Sequence, residues 1–432
     1  MPVIDSRLCV IGLCATLVAG CGGVITNGSG GGNSPTVVTL TFPSGTSPVA
    51  AQVGRDAFAL QTLSGDTLSL LIPSGTSNYA VVYLCPSYII GNIQYGEEGV
   101  WEASTADGVS FYLSCPANPI NPPAGMDALT GTIDVAAISG AESFSSAAQS
   151  GNSFYAQSGY YSFTPNDLAA NFDTLAPTGS DRVMLVIFDS DHDALAAKSF
   201  DNQTVPGSLS GGATVAFAAG DETTSAAITY NNVPSGFNTP QAGVGLLMGN
   251  GAGRIPTAEA ETTQYPVLPA DAIKSGDSYR VEASSFANGL VPPGVLAGTT
   301  SSGGPVSLTF PSPWTYAGPT PNAQPTFNFD YTGFSGKPGV IQEANYLWQA
   351  GPSGSSSYTS NQVVLSATAN YGSTTLAVPD LSGLTGLLSA PASGTQVNWN
   401  AEISQYSSGL YHELPVNSTW SGVYNQGSFT VP

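Results

Sequence analysis

After Thr36, no stretch of this sequence sustains a long 3.6-residue apolar period. Apolar residues come instead in short runs cut by Gly, Pro, Ser and Asn. Such runs suit the pleated, half-buried surface of a strand, where alternate side chains point to opposite faces. Residues 37–42, 67–72, 79–84 and 109–113 are of this kind, rich in Val, Ile, Leu, Thr, Tyr and Phe. Regular short strands with turn signals between them predict sandwiches or barrels, so the expected fold class is all-β. The 51 Gly and 32 Pro residues supply the turns that such a fold needs. One short helix is expected at 164–172, with Thr164 as its N-cap, Pro165 in the first turn and Asp167 at the positive end of the dipole.

A chain of 432 residues is too long for one small core and suits two to four domains. Internal similarity points to tandem modules. The segment 73–83 parallels 177–187, each a Pro/Gly turn feeding an apolar strand, at an offset of 104 residues. That offset matches a sandwich of about 100 residues. A second echo pairs 38–43 with 306–311. Pro/Gly-rich stretches at 116–125, 233–240 and 298–305 mark the boundaries. The expected modules are 36–117, 126–232, 233–300 (which merges readily with a neighbour) and an aromatic-rich 305–432.

The first 35 residues read as an address and a tether. Arg7 and the amino terminus precede an apolar segment at 8–20, shorter than the about 20 residues of a membrane-spanning helix. Leu17-Val18-Ala19-Gly20-Cys21 resembles the bacterial lipobox. The resemblance implies signal peptide cleavage after residue 20, diacylglyceryl attachment to the Cys21 sulfur and acylation of the new amino group. Residues 21–35 then form a Gly/Ser-rich flexible linker. Gly22 is not Asp, which, by resemblance to sorted lipoproteins, permits the outer membrane if the source is Gram-negative. The implied location is the cell envelope, with the membrane as partner through the lipid. In general pattern the body resembles bacterial surface lipoproteins carrying immunoglobulin-like or carboxypeptidase-regulatory-like β-sandwiches.

Of five cysteines, Cys9 and Cys14 leave with the signal and Cys21 takes the lipid. Cys85 and Cys115 remain, each at a strand end before Pro, and are expected to form a disulfide in an oxidising compartment. Eight Lys+Arg against 29 Asp+Glu give a net charge of −21. Nucleic acid is therefore set aside as a partner, since no basic cluster exists to release counterions.

No catalytic constellation stands out. Asp189, Asp191 and Asp193 alternate like the start of a Ca²⁺ loop, but Ala194 and Phe200 break the EF-hand pattern, so a turn between two strands competes with a Ca²⁺ site. Apart from that weak Ca²⁺ candidate, no cofactor is expected. His192 lacks a nucleophile-elbow partner. His412-Glu413 opens like a zinc-protease helix, but Pro415 and Val416 spoil it. The glycines of 249–253 lack the third Gly and the βαβ context of a dinucleotide loop. Glu97, Glu98 and Glu102 offer carboxylates for a glycosidase pair. Aromatics gather late in the chain, among them Trp314, Tyr316, Phe327, Tyr346, Trp348 and Trp399. Solvent-facing Trp314 and Trp348 would stack on sugars, whereas core packing of a sandwich would hide them. The expected function is noncatalytic binding or scaffolding, with a glycan or a cell-surface protein as partner. The alternative is a cell-surface hydrolase of polysaccharide or protein.

Overall fold

The computed structural model describes residues 35–432 except 55, 91, 114, 116–125, 151–152, 157–160, 164–168, 180–181, 250–252, 259–262, 289–290, 335–338, 351–357, 380, 382–383 and 408–416. Cys21 and the linker up to residue 34 lie outside the described residues, as do His412 and Glu413. The chain is all-β, a series of tandem β-sandwich modules.

Three modules repeat one seven-strand plan, with a few further two- and three-residue strands outside it. Module 1 has β1 (Thr36–Thr41), β2 (Val49–Val53), β3 (Ala59–Gln61), β4 (Thr67–Ile72), β5 (Asn78–Leu84), β6 (Ile93–Ser104) and β7 (Ser110–Tyr112). Module 2 has β8 (Met126–Asp134), β9 (Ser143–Ser150), β10 (Ser153–Ala156), β11 (Ala169–Pro177), β12 (Arg182–Phe188), β13 (Ala194–Asp201) and β14 (Gly207–Ser208). Module 3 has β15 (Thr224–Asn231), β16 (Gln241–Met248), β17 (Gly253–Ala258), β18 (Gln264–Val267), β19 (Ser278–Asn288), β20 (Val291–Ser301) and β21 (Val306–Thr309). In each, the first strand pairs antiparallel with the fourth and parallel with the seventh, while the other four strands run 3-2-5-6 in a second sheet. The first sequence echo falls on equivalent places in this plan, the turns before β5 and β12, the fifth strands of modules 1 and 2. The second does not, since β1 is the first strand of module 1 and β21 the seventh of module 3.

Module 3 starts one strand earlier and ends one strand later than the expected 233–300. The Pro/Gly stretch at 233–240 connects its first two strands, and 298–305 ends β20 and turns into β21. The expected helix at 164–172 is corrected where it is described. Its first five residues lie outside the described set, and Ala169–Phe172 are strand, paired with Asp134–Gly131 of β8. A partner strand decides these residues where local cap signals favoured helix.

Four long strands complete the fold: β22 (Val340–Ala350), β23 (Tyr358–Thr368), β24 (Gln396–Tyr406) and β25 (Thr419–Thr430). They do not make a separate sandwich. β25 pairs antiparallel with β20 and β23 pairs parallel with β6, so modules 1 and 3 share one thirteen-stranded sheet with the C-terminal strands. At the β20–β25 seam the Tyr424 and Trp420 rings lie over their direct partners Gly294 and Gly298, where a Cβ would collide with either ring. Near the other seam, Asp107 accepts hydrogen bonds from the Thr368 hydroxyl (2.5 Å) and the Asn370 amide (2.6 Å).

Module 2 joins through its face. Val183, Leu185 and Ile187 of β12 fill its own core, while Met184, Val186 and Phe188 enter a central core shared with module 3 and the C-terminal strands. That double burial explains the unbroken apolar run of β12. Beside it, Arg182 makes a buried ion pair with Asp277 of module 3 at 2.8 Å, and its guanidinium also donates to the Ala272 carbonyl.

Candidate functional site

The two faces of β22–β25 differ sharply. One carries Ala344, Tyr346, Val363, Leu365, Ala401 and Ile403 into the central core. On the opposite face, direct cross-strand partners align Asn345, Asn400 and Gln426 in one row, and Glu343, Glu402 and Tyr424 in the next. Gln362 and Asn398 flank Leu347 in a third row. Asn398 and Gln426 are exposed, Gln362 and Asn400 half-buried, and Asn345 is 6% exposed. The three-stranded sheet of module 1 packs on this same side of the long sheet, through Tyr79, Val81 and Tyr83, and ends before β22. That of module 3 packs on the other side, where Tyr265 meets Tyr279. Among the described residues, the polar face of β22–β25 is therefore left without a covering layer.

Glu343 and Glu402 stand directly opposite each other on the inner part of this face. Burial, reinforced by the neighbouring Glu402 charge, pushes the Glu343 carboxyl up to about 7. Burial also raises Glu402, against the hydrogen bond it accepts from the Ser404 hydroxyl. Farther along, Glu282 pairs with Arg280 and, at 3.5 Å, with Arg254, and the Arg280 guanidinium lies 4.9 Å from the Trp420 ring centroid. The amide rows of β22–β25 can accept and donate many hydrogen bonds, while the charged groups gather in the Glu343–Glu402 pair and the Glu282–Arg280–Arg254 group.

None of these residues was singled out from the sequence. The signal was there in β24, where Gln396-Val-Asn398-Trp-Asn400-Ala-Glu402-Ile-Ser404 alternates polar with apolar. The aromatic cluster drew attention to the wrong side. Trp314 is 3% and Trp348 4% exposed, both in the central core, with Trp314 stacked on Tyr316 and Phe329. Neither presents an open ring face for sugar stacking. Trp348 does border a cavity of about 550 Å³, together with Asn361, Leu387, Leu388, Pro391 and Thr395.

Cys85 and Cys115 are disulfide-bonded, with Cα atoms 5.8 Å apart, and tie the end of β5 to the end of β7 across the two sheets of module 1. Asp189, Asp191 and Asp193 occupy the β12–β13 turn. The Asp189 carboxylate accepts the backbone N–H groups of Asp191 and Asp193, both at 2.9 Å, and His192 takes a positive φ of 62°. That is a side-chain-stapled turn. Glu97 points to the opposite face from Glu98 and Glu102, as alternation on β6 requires. Glu98 and Glu102 lie four residues apart along one strand, roughly 13 Å, too far for an acid–base pair. Burial pushes both up to about 7, and Glu98 accepts the Leu388 backbone N–H at 2.9 Å.

No family model and no curated protein matches the chain. Among solved structures, the chain is similar to the FN1–FN3 domains of chicken CNTN1, at 8% identity and a TM-score of 0.16, over 67% of this chain and 91% of that one.

Proposed function

We propose that this chain is an exported lipoprotein, anchored in the cell envelope through Cys21, whose sandwiches form a noncatalytic scaffold for binding. The observation that carries this reading is the thirteen-stranded sheet. It makes modules 1 and 3 one continuous backbone ladder and leaves a broad polar face uncovered, which suits presentation and recognition. The buried acids Glu98 and Glu102 fit the same reading, since they lie too far apart to act as a pair. The lipobox at 17–21 supports the anchor, and the Gly/Ser-rich residues 22–35 give the folded part room above a bilayer. Replacing Cys21 with Ser should shift the protein from the detergent-extracted membrane fraction to the soluble fraction. Unchanged partitioning would overturn the anchor.

The alternative, a cell-surface hydrolase, has one observation in its favour, the opposed Glu343–Glu402 pair. Directly opposed residues in a sheet have Cβ atoms about 5 Å apart, within reach of the carboxylate spacings of glycosidases. A Glu343→Gln substitution separates the two readings, because only a hydrolase loses turnover by it.

A further inference from the structure

Most of the amides on the open face of β22–β25 could in principle bond one another or the backbone. None of Asn345, Asn400, Gln426, Gln362 and Asn398 does so through its side chain among the described residues. For the exposed ones, water is an adequate partner. Asn345 is 6% exposed and makes no side-chain hydrogen bond, and its amide atoms are not among those sealed from solvent. Its hydrogen bonds must therefore be met from the open side of the sheet.

The chemistry of the face narrows what could satisfy it. The four strands contain no Lys or Arg, and Glu343 and Glu402 are their only acids. With a net charge of −21 on the whole chain, a phosphorylated, sulfated or uronic-acid polymer would be repelled and would meet no counter-charge on these strands. A primary amide offers two donors and one acceptor in a plane. Rows of them suit a ligand that both donates and accepts at closely spaced positions, which is what vicinal hydroxyls do. Strands lie about 4.8 Å apart, so Asn345, Asn400 and Gln426 span about 10 Å in a straight line. The row fits a polymer with repeating hydroxyls better than a compact ligand. At its inner edge the Glu343–Glu402 pair accepts hydroxyl hydrogens, and the half-buried Tyr424 ring offers an apolar surface to C–H groups.

We propose that this open face binds a neutral polysaccharide through its side-chain amides, with Glu343 and Glu402 at the inner end of the site. The proposal rests on the binding reading above and gives it a ligand class and an address.

The test uses the mature, full-length protein and affinity electrophoresis in gels containing dextran, laminarin, mannan, xylan or galactan, with anionic alginate for comparison. At least one neutral polymer should retard the protein, and alginate should not. The Asn345→Ala/Asn400→Ala/Gln426→Ala variant should weaken the retarding interaction at least tenfold. Because Asn345 is buried and its loss could disturb folding, the exposed pair Asn398→Ala/Gln426→Ala serves as a second variant, expected to lose at least threefold with an unchanged melting temperature. Gln61→Ala, on module 1, should have no effect. Failure of every neutral polymer to retard the protein, preference for alginate, or retardation untouched by both amide variants would overturn the proposal. If the gels instead reveal polymer shortening that Glu343→Gln abolishes, the noncatalytic reading falls while the assignment of the face stands.

Discussion

Module 2 meets the rest of the molecule through a face, whereas modules 1 and 3 run on through shared backbone ladders into β22–β25. The two junctions draw on different physics. A ladder supplies regularly repeating hydrogen bonds that do not depend on which side chains are present, so its specificity must come from register and from close fits such as Trp420 over Gly298. A face supplies apolar burial, which is strong but not directional. At module 2 the direction comes from Arg182. Its guanidinium reaches Asp277, the Ala272 carbonyl and the Ser199 hydroxyl, and Asp277 in turn accepts the backbone N–H groups of Gly249 and Lys274. Charge fixes the position of a junction that apolar packing alone would leave free to slide.

The sharpest break of this contrast is Arg182→Ala. It strands the Asp277 carboxylate, 1% exposed, in the interior, and removing one partner of a buried pair costs about 3–5 kcal/mol. Chemical denaturation should show the loss. Hydrogen exchange should place the first opening in module 2, with the β20–β25 and β6–β23 ladders still protected. Equal deprotection of all three modules would show that the face junction is not separable from the ladders.

The second test concerns pH at the module 1 ladder. Glu98 sits on β6 opposite Val363 of β23, with its carboxyl raised from 4.5 to about 7 by burial. A raised acid holds its proton in the folded state after the unfolded chain has released it. Its favourable contribution is therefore full below about pH 4.5 and is lost as pH rises to about 7. Glu102 and Glu343 act in the same sense. The melting temperature should rise on acidification from pH 8 to pH 5. Glu98→Gln should flatten that dependence and stabilise the protein at pH 8 by on the order of 2–3 kcal/mol. A wild-type melting temperature that falls over this interval would refute the assignment.

The smallest expected effect is at the other ladder. Gly298→Val places a branched side chain into the Trp420 ring, and overpacking of this kind costs about 1–3 kcal/mol. Exchange protection should be lost along β20 and β25 first, while module 2 stays protected. Unchanged exchange at this seam would mean that the ring is free to move aside.

Much of the architecture was legible in the sequence because it is local. Alternation at 37–42 and 79–84, the Pro-flanked Cys85 and Cys115, and the echo between 73–83 and 177–187 each concern a strand and its own turn. The parts that were not legible depend on partners far away in the chain. Nothing near Thr224 says that this strand will lie beside Val306, so the module boundary was placed on the Pro-rich loop after it. Nothing near Trp348 says which side of β22 will be covered, so the tryptophans drew the search while the alternating amides of β24 passed unnoticed. A polar row such as Asn345, Asn400 and Gln426 exists only once three strands have taken their register.

The late position of the closing strands also bears on how such a chain matures. Synthesis delivers the polypeptide amino end first, so β6 and β20 emerge long before the strands that will cover their edges. Ile93 waits for Tyr358, about 265 residues later, and Thr299 waits for Thr419. Until then two bare strand edges stand open in the same molecule, each a template for pairing with a neighbouring chain. Contacts this distant also close slowly. A molecule cut short before residue 340 would keep both edges for good, and its natural fate is to stick to its own kind.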